Sequence, residues 1–108
     1  TDDTQSDSYY TFLCVKIHSG SKLVVSDLFG CADPYAKVGL VHYYAKDKPI
    51  KKPFLKTKVI KKNINPKWRE KANTEYNDEK FIKFEVWDDD FMIDDFMGEA
   101  YIDIQDML

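Results

Sequence analysis

Phe81-Ile82-Lys83-Phe84-Glu85-Val86-Trp87 is the stretch that decides the fold. Phe81, Lys83, Glu85 and Trp87 alternate with Ile82, Phe84 and Val86, and this period of two is the signature of an extended strand, whose successive side chains point to opposite faces. Upstream, across a turn at Asn77-Asp78, Trp68, Glu70, Ala72, Thr74 and Tyr76 share one face of another strand, although small residues occupy its middle. Asn63-Ile64-Asn65-Pro66 before it is turn chemistry, since Asn tolerates left-handed backbone and Pro cannot donate to a ladder. Residues 54–61 and 35–44 read as strands, the latter opened by Pro34, with a lysine-rich, proline-bearing loop over 46–53 between them. Residues 10–17 form a first strand that is apolar on both faces and ends at Ser19-Gly20-Ser21. Downstream come an aspartate loop over 88–95, Gly98 and a last strand over 100–104. Helical periodicity is weak everywhere, so the expected fold is all-β, an antiparallel sandwich of two sheets.

The 108 residues suffice for one domain with one core, and 44% apolar with 32% charged content places the chain in the globular class. Residues 1–8 read as a flexible N-terminal segment and 9–108 as the domain. The apolar runs fall short of the roughly 20 residues of a spanning helix, and residues 1–8 lack the basic and apolar regions of a signal peptide. Cys14 and Cys31 are too few for a disulfide framework; both read as free thiols of a reducing, cytoplasmic compartment.

The net charge of −3 conceals a segregation. Residues 46–71 hold ten lysines and Arg69 against Asp47 and Glu70, whereas seven of the 19 acids stand in two clusters: Asp27 and Asp33, then Asp88, Asp89, Asp90, Asp94 and Asp95. Asp88 and Asp90, two apart at a strand end, share a direction, and Asp94 or Asp95 returns to the same place, so three carboxylates are expected to converge. Such a cluster repels itself without a hard cation, and calcium, which accepts 6 to 8 oxygens in loose geometry, suits it better than magnesium. An EF-hand counted from Asp88 would place Met92 and Ile93 where an acid or amide and a glycine belong, which excludes it. His18 and His42 lack metal-ligand spacing to another His or Cys. No nucleotide-binding or nucleophile motif is present, and no enzymatic activity or nucleic-acid partner is expected.

Four stretches carry a family resemblance: Asp27-Leu28-Phe29-Gly30-Cys31-Ala32-Asp33-Pro34-Tyr35-Ala36-Lys37-Val38, Lys56-Thr57-Lys58-Val59-Ile60, Asn63-Ile64-Asn65-Pro66-Lys67-Trp68-Arg69-Glu70, and Val86-Trp87-Asp88-Asp89-Asp90 through Asp95-Phe96-Met97-Gly98-Glu99. In order and spacing they resemble the C2 domain, a calcium-dependent phospholipid-binding sandwich, over about residues 10–108. The likeness is nearest to C2 domains of HECT-type ubiquitin ligases and conventional protein kinases C. It implies that Asp27, Asp33, Asp88, Asp90 and Asp95 are the side-chain calcium ligands, with backbone carbonyls near Leu28 and Asp89, while Asp94 and the Asp89 side chain face solvent or play secondary parts. Tyr35, Lys37, Lys56, Lys58 and Trp87 match the phosphoinositide positions of the kinase type, where Asp94 replaces an asparagine.

Three departures accompany the resemblance. The third loop is one residue shorter than in many relatives, Ala72 and Thr74 replace the usual aromatic pair of the fourth strand, and one or two closing strands of the eight-stranded sandwich are missing after Leu108. From the last departure the chain is expected to be a fragment of a longer protein, or its open edges to be covered by another chain. Leu28, Phe29, Phe91, Met92 and Ile93 sit on the tips of the ligand-bearing loops, and inward packing would drag the aspartates with them, so they are expected to be exposed and to enter a membrane. The resulting expectation is calcium-dependent binding to anionic membranes bearing phosphatidylserine or phosphoinositides, with peripheral recruitment from the cytoplasm. Its alternative is a calcium-independent protein-interaction module.

Overall fold

A computed structural model describes residues 12–20, 32–45 and 48–107. Segment 1–8, Asp27, Leu28, Phe29, Cys31 and the residues at 46, 47 and 108 lie outside the described residues. Among the described residues, six strands occur in the order β1 (Phe12–Ser19), β2 (Pro34–Val41), β3 (Leu55–Lys56), β4 (Lys67–Glu75), β5 (Phe81–Asp88) and β6 (Asp95–Asp103), followed by a 3-10 turn over Ile104–Met107. β1 pairs with β4 in one sheet, and β3-β2-β5-β6 form the other, with all neighbours antiparallel. Among the described residues no helix is long and apolar enough to cross a membrane.

The alternation in β5 sends Ile82 inward with Val38 of β2, and both meet Val15, Leu55 and Ile104 in the core. Leu13, Ile17, Leu40, Phe54, Ala72, Tyr76 and Phe84 pack around them. In β1 only one of the two apolar faces is used: Val15 is buried, whereas Phe12 and Cys14 are exposed. The expected common face of β4 is present, with Trp68 at its most buried end.

Two strands depart from expectation. The pattern over residues 54–61 predicts one strand, yet the ladder holds only at Leu55–Lys56. On either side of it the amides of Phe54, Thr57, Ile60 and Asn63 reach the carbonyls of Val38, Ala36, Pro34 and Ala32, so donors come every third residue against acceptors every second. The hydroxyl of Thr57 takes the N–H of Ala36 at 2.8 Å in place of a ladder carbonyl. The last strand begins at Asp95 rather than Ala100, because pairing with β5 starts at once across Asp88 and Asp95, and Ile104 belongs to the 3-10 turn. His42 lies just past the end of β2.

Two bulges reset side-chain direction. Trp68 and Arg69 together oppose His18, and Arg69 takes a left-handed φ of 52°. In β6, Val86 pairs with Gly98 but Trp87 pairs with Phe96, which leaves Met97 as an extra residue. That insertion shifts the phase of the strand, so Phe96 joins Glu99 and Tyr101 on the outer face of the sheet beside Trp87.

Candidate functional site

β2, β5 and β6 end together, and their register brings Pro34, Asp88 and Asp95 side by side at one rim. The Asp33 N–H donates to Asp88 Oδ1 at 2.9 Å, the Asp89 N–H donates to the Asp33 carbonyl at 3.0 Å, and the Lys62 N–H donates to Asp33 Oδ1 at 2.7 Å. Trp68, 2% exposed, supports this corner from beneath by donating its indole N–H to the Pro34 carbonyl at 3.3 Å. The Asn-Pro-Lys-Trp run thus positions Asp33 through packing. Asp88 is buried, at 4% exposure, whereas Asp89 and Asp90 are exposed.

The expected convergence of Asp88 and Asp90 with Asp94 or Asp95 does not occur, since among the described residues no three carboxylates, histidines or cysteines form a group able to hold a metal. Asp94 turns away because its Oδ2 accepts the Tyr35 hydroxyl and its Oδ1 accepts the Asp90 N–H at 3.0 Å. Asp90 Oδ1 faces its own loop, accepting the Met92 N–H at 3.4 Å. The donors at the rim are hard oxygens, the chemistry calcium takes, but the described residues alone do not complete a cation site. Asp27 and Leu28 belong to the same expectation and lie outside the described residues.

At the tip of the loop joining β5 to β6, Phe91, Met92 and Ile93 are 95%, 81% and 78% exposed. They form a contiguous apolar knob between Asp90 and Asp94.

On the outer face of the four-stranded sheet, Lys37 and Lys56 stand directly opposite each other in register. Like charges so placed repel. Lys37 Nζ lies 5.0 Å from the Trp87 ring centre and Lys56 Nζ 5.0 Å from that of Tyr35, so each ammonium rests over an aromatic face. Asp94 supplies the counter-charge. Its N–H donor from Asp90, the Tyr35 hydroxyl and the charges of Lys56 and Lys37 hold its carboxyl below the ordinary range against the opposing effect of burial. Burial first, then the hydrogen bond and charge of Asp94, push the Tyr35 phenol well above its usual range. Asp94 is therefore an internal partner of the basic cluster. The Lys58 side chain is exposed beyond the end of β3, and its N–H donates to Glu70 Oε2 at 2.9 Å.

Further along the same face lies an arrangement that sequence reasoning missed. Lys83 and Glu85 are 2% and 0% exposed, with Lys83 Nζ 3.2 Å from Glu85 Oε2 and 3.5 Å from Glu99 Oε1. The ammonium also donates to the carbonyls of Lys48 at 2.6 Å and Ala45 at 3.3 Å, while the Ile50 N–H donates to Glu85 Oε2 at 2.9 Å. The pair thereby fastens the chain after β2 over the outer face. Burial lowers the Lys83 pKa, but hydrogen bonds to Tyr101 and Glu85 and the charge of Glu85 outweigh it and hold Lys83 above the ordinary lysine range. Two charges amid the aromatic residues Phe81 and Trp87 were the available signal.

A profile described as the C2 domain matches residues 11–108. The chain is 37% identical over 95 residues to GTPase activating protein 1 of Oryza sativa subsp. indica, covering 87% of this chain and 51% of that protein. It is 35% identical over 97 residues to multiple C2 and transmembrane domain-containing protein 2 of Mus musculus, covering 88% of this chain and 10% of that protein. The chain thus spans between about a tenth and a half of the length of these relatives. Among solved structures, a C2 domain of plant extended synaptotagmin 1 superposes with a TM-score of 0.71 at 28% identity, covering 88% of this chain and 70% of that one. The profile match over nearly the whole chain, together with the sandwich built from the same stretches, establishes that the chain belongs to the C2 domain family.

Proposed function

We propose that this chain docks on anionic phospholipid membranes in response to calcium, as a peripheral targeting module of a larger cytoplasmic protein. The observation that carries the reading is the apolar knob of Phe91, Met92 and Ile93, exposed between Asp90 and Asp94 beside the rim where Asp88 pairs with Asp95. Fully burying one such side chain contributes roughly 1.5 to 3 kcal/mol, so partial insertion of three competes with about 1 kcal/mol per lysine near an anionic surface. In this reading Asp27, Asp33, Asp88, Asp90 and Asp95, with the carbonyls of Leu28 and Asp89, hold the calcium, and Leu28 and Phe29 join the knob. Tyr35, Lys37, Lys56, Lys58 and Trp87 take a phosphoinositide headgroup, a role supported by the paired lysines over aromatic faces.

A second reading is a calcium-independent protein-interaction module whose basic face, with Lys37 and Lys56 opposite each other, binds an acidic partner. Co-sedimentation with phosphatidylserine vesicles in calcium and in chelator separates the two. Binding only with calcium, weakened by a few kcal/mol when Phe91, Met92 and Ile93 are all replaced by Ser, supports docking. Equal sedimentation of the wild type with and without calcium overturns it.

A further inference from the structure

Beside the buried Lys83 lies a cavity of about 220 Å³, lined by Lys48, Pro49, Glu85, Trp87, Phe96 and Glu99. We propose that it binds a quaternary ammonium group.

Its walls come from the phase shift in β6. With Met97 inserted, Phe96 stands beside Trp87, the ring centres 5.3 Å apart and the planes at 74°, so two aromatic surfaces meet in a corner. Aromatic surfaces of this kind attract organic cations through the ring quadrupole. The buried ion-pair network beside the cavity has the matching sign. Lys83 is shared between Glu85 and Glu99, at 3.2 and 3.5 Å, so the three side chains carry one negative charge in excess. Glu99 is the more loosely held carboxylate and keeps 16% of its side chain exposed. Lys48, whose carbonyl is taken by Lys83, also lines the cavity but is exposed, so its charge is screened by solvent, and Lys37 Nζ stands 5.0 Å from the centre of the Trp87 ring.

The hydrogen-bonding state selects the kind of cation. Glu85 Oε1 accepts the Trp87 indole N–H at 3.0 Å and its Oε2 accepts the Ile50 N–H, so the buried carboxylate is already engaged. A primary ammonium or a metal ion needs several fresh acceptors to replace its water, and the described residues hold no three-ligand group. A quaternary ammonium has no N–H to satisfy and is weakly hydrated, so it needs only aromatic surface and nearby negative charge. The volume is below the roughly 300–1,000 Å³ of pockets for drug-sized ligands, which restricts the occupant to a small group such as trimethylammonium. The Trp87–Phe96 pair lies one register step from Asp88–Asp95 at the rim, within reach of a choline headgroup or of free choline alike.

The test is a titration of the wild-type chain with tetramethylammonium chloride against sodium chloride of equal ionic strength, followed through the two indole N–H resonances. Trp87 reports on the cavity, and Trp68, bonded to Pro34 on the other side of the sheet, is the internal control. A saturable shift of the Trp87 signal with an unmoved Trp68 signal is expected. Glu99→Gln, which leaves the Lys83–Glu85 pair in place, weakens binding by on the order of tenfold, as does Phe96→Leu, while Lys48→Gln does not weaken it. A linear, salt-like shift of Trp87, or undiminished affinity in both Glu99→Gln and Phe96→Leu, overturns the proposal. Competition by phosphatidylcholine vesicles identifies a lipid headgroup as the source, and competition by choline alone a soluble one; both outcomes keep the site. No arm requires calcium or an anionic membrane, so failure here is distinguishable from failure of the docking function.

Discussion

Lys83 holds its ammonium between two carboxylates and two carbonyls with 2% of its side chain exposed. Lys83→Met leaves Glu85 charged and buried, and is expected to destabilise the chain by about 3–5 kcal/mol in urea unfolding. Lys83→Met with Glu85→Gln is expected to be milder, because the glutamine still accepts the Ile50 N–H without a charge. A loss below about 1 kcal/mol in the single variant would show the pair to be dispensable. Since the folded pKa of Lys83 is raised, its contribution is present below the ordinary lysine range and is lost as pH rises through the raised value. Asp94 has the opposite sign: its folded pKa is lowered, so its contribution is present above the ordinary carboxylate range and disappears as pH falls through the lowered value. The urea midpoint of the wild type is therefore expected to exceed that of Asp94→Asn at neutral pH and to converge with it in acid. The same substitution removes the carboxylate that balances Lys37 and Lys56, and vesicle binding to phosphatidylinositol bisphosphate is expected to tighten. Weaker binding by Asp94→Asn would show that Asp94 supports the headgroup site instead of competing for it.

Among the elements, β2 carries the contact that lets the outer face be covered. A Cβ at Gly39 would stand 2.7 Å from Ile50 Cγ2, so the absence of a side chain there admits Ile50, whose N–H reaches Glu85. Gly39→Ala is expected to cost about 1–3 kcal/mol through overpacking, and Ile50→Ala in the same chain to recover part of it. Thermal melts of the two variants check this; equal melting of Gly39→Ala and wild type would mean that Ile50 moves aside freely. The strands β1, β2, β4 and β5 were legible because alternation is local. β3 was not, since its ladder fails through a mismatch between donors every third residue and acceptors every second, which depends on both chains. The early start of β6 was hidden for a related reason: Asp95, Phe96 and Met97 read as loop until pairing with Asp88 and Trp87 is known.

For the whole molecule, the proposed calcium binding at the acidic rim is testable through stability. If calcium binds the folded chain alone, it raises the melting temperature by mass action, and the increment grows with calcium concentration. Asp88 also accepts the Asp33 N–H, so Asp88→Asn lowers the baseline by itself. The diagnostic quantity is consequently the calcium-induced increment, which Asp88→Asn is expected to remove. Calcium-independent melting of the wild type at millimolar calcium would exclude the rim as a calcium site. Of this candidate site, the clustering of aspartates and the apolar tip were visible in the residues, because both are contiguous in the chain. The turning of Asp94 to Tyr35 was not, because the partners are 59 residues apart.

The sequence by itself determined that the chain is an antiparallel β-sandwich, that Asp88 stands at a strand end and that an apolar triplet sits between two carboxylates. These follow from period-two alternation, turn residues and local order, which need no knowledge of distant neighbours. Only the tertiary structure decided that both faces of β5 are covered, that Lys83 and Glu85 are buried as a pair, and that Phe96 turns to Trp87. Alternation distinguishes one face of a strand from the other but does not say which lies against water; that depends on the Ile50 segment crossing over Gly39 and on one extra residue in β6.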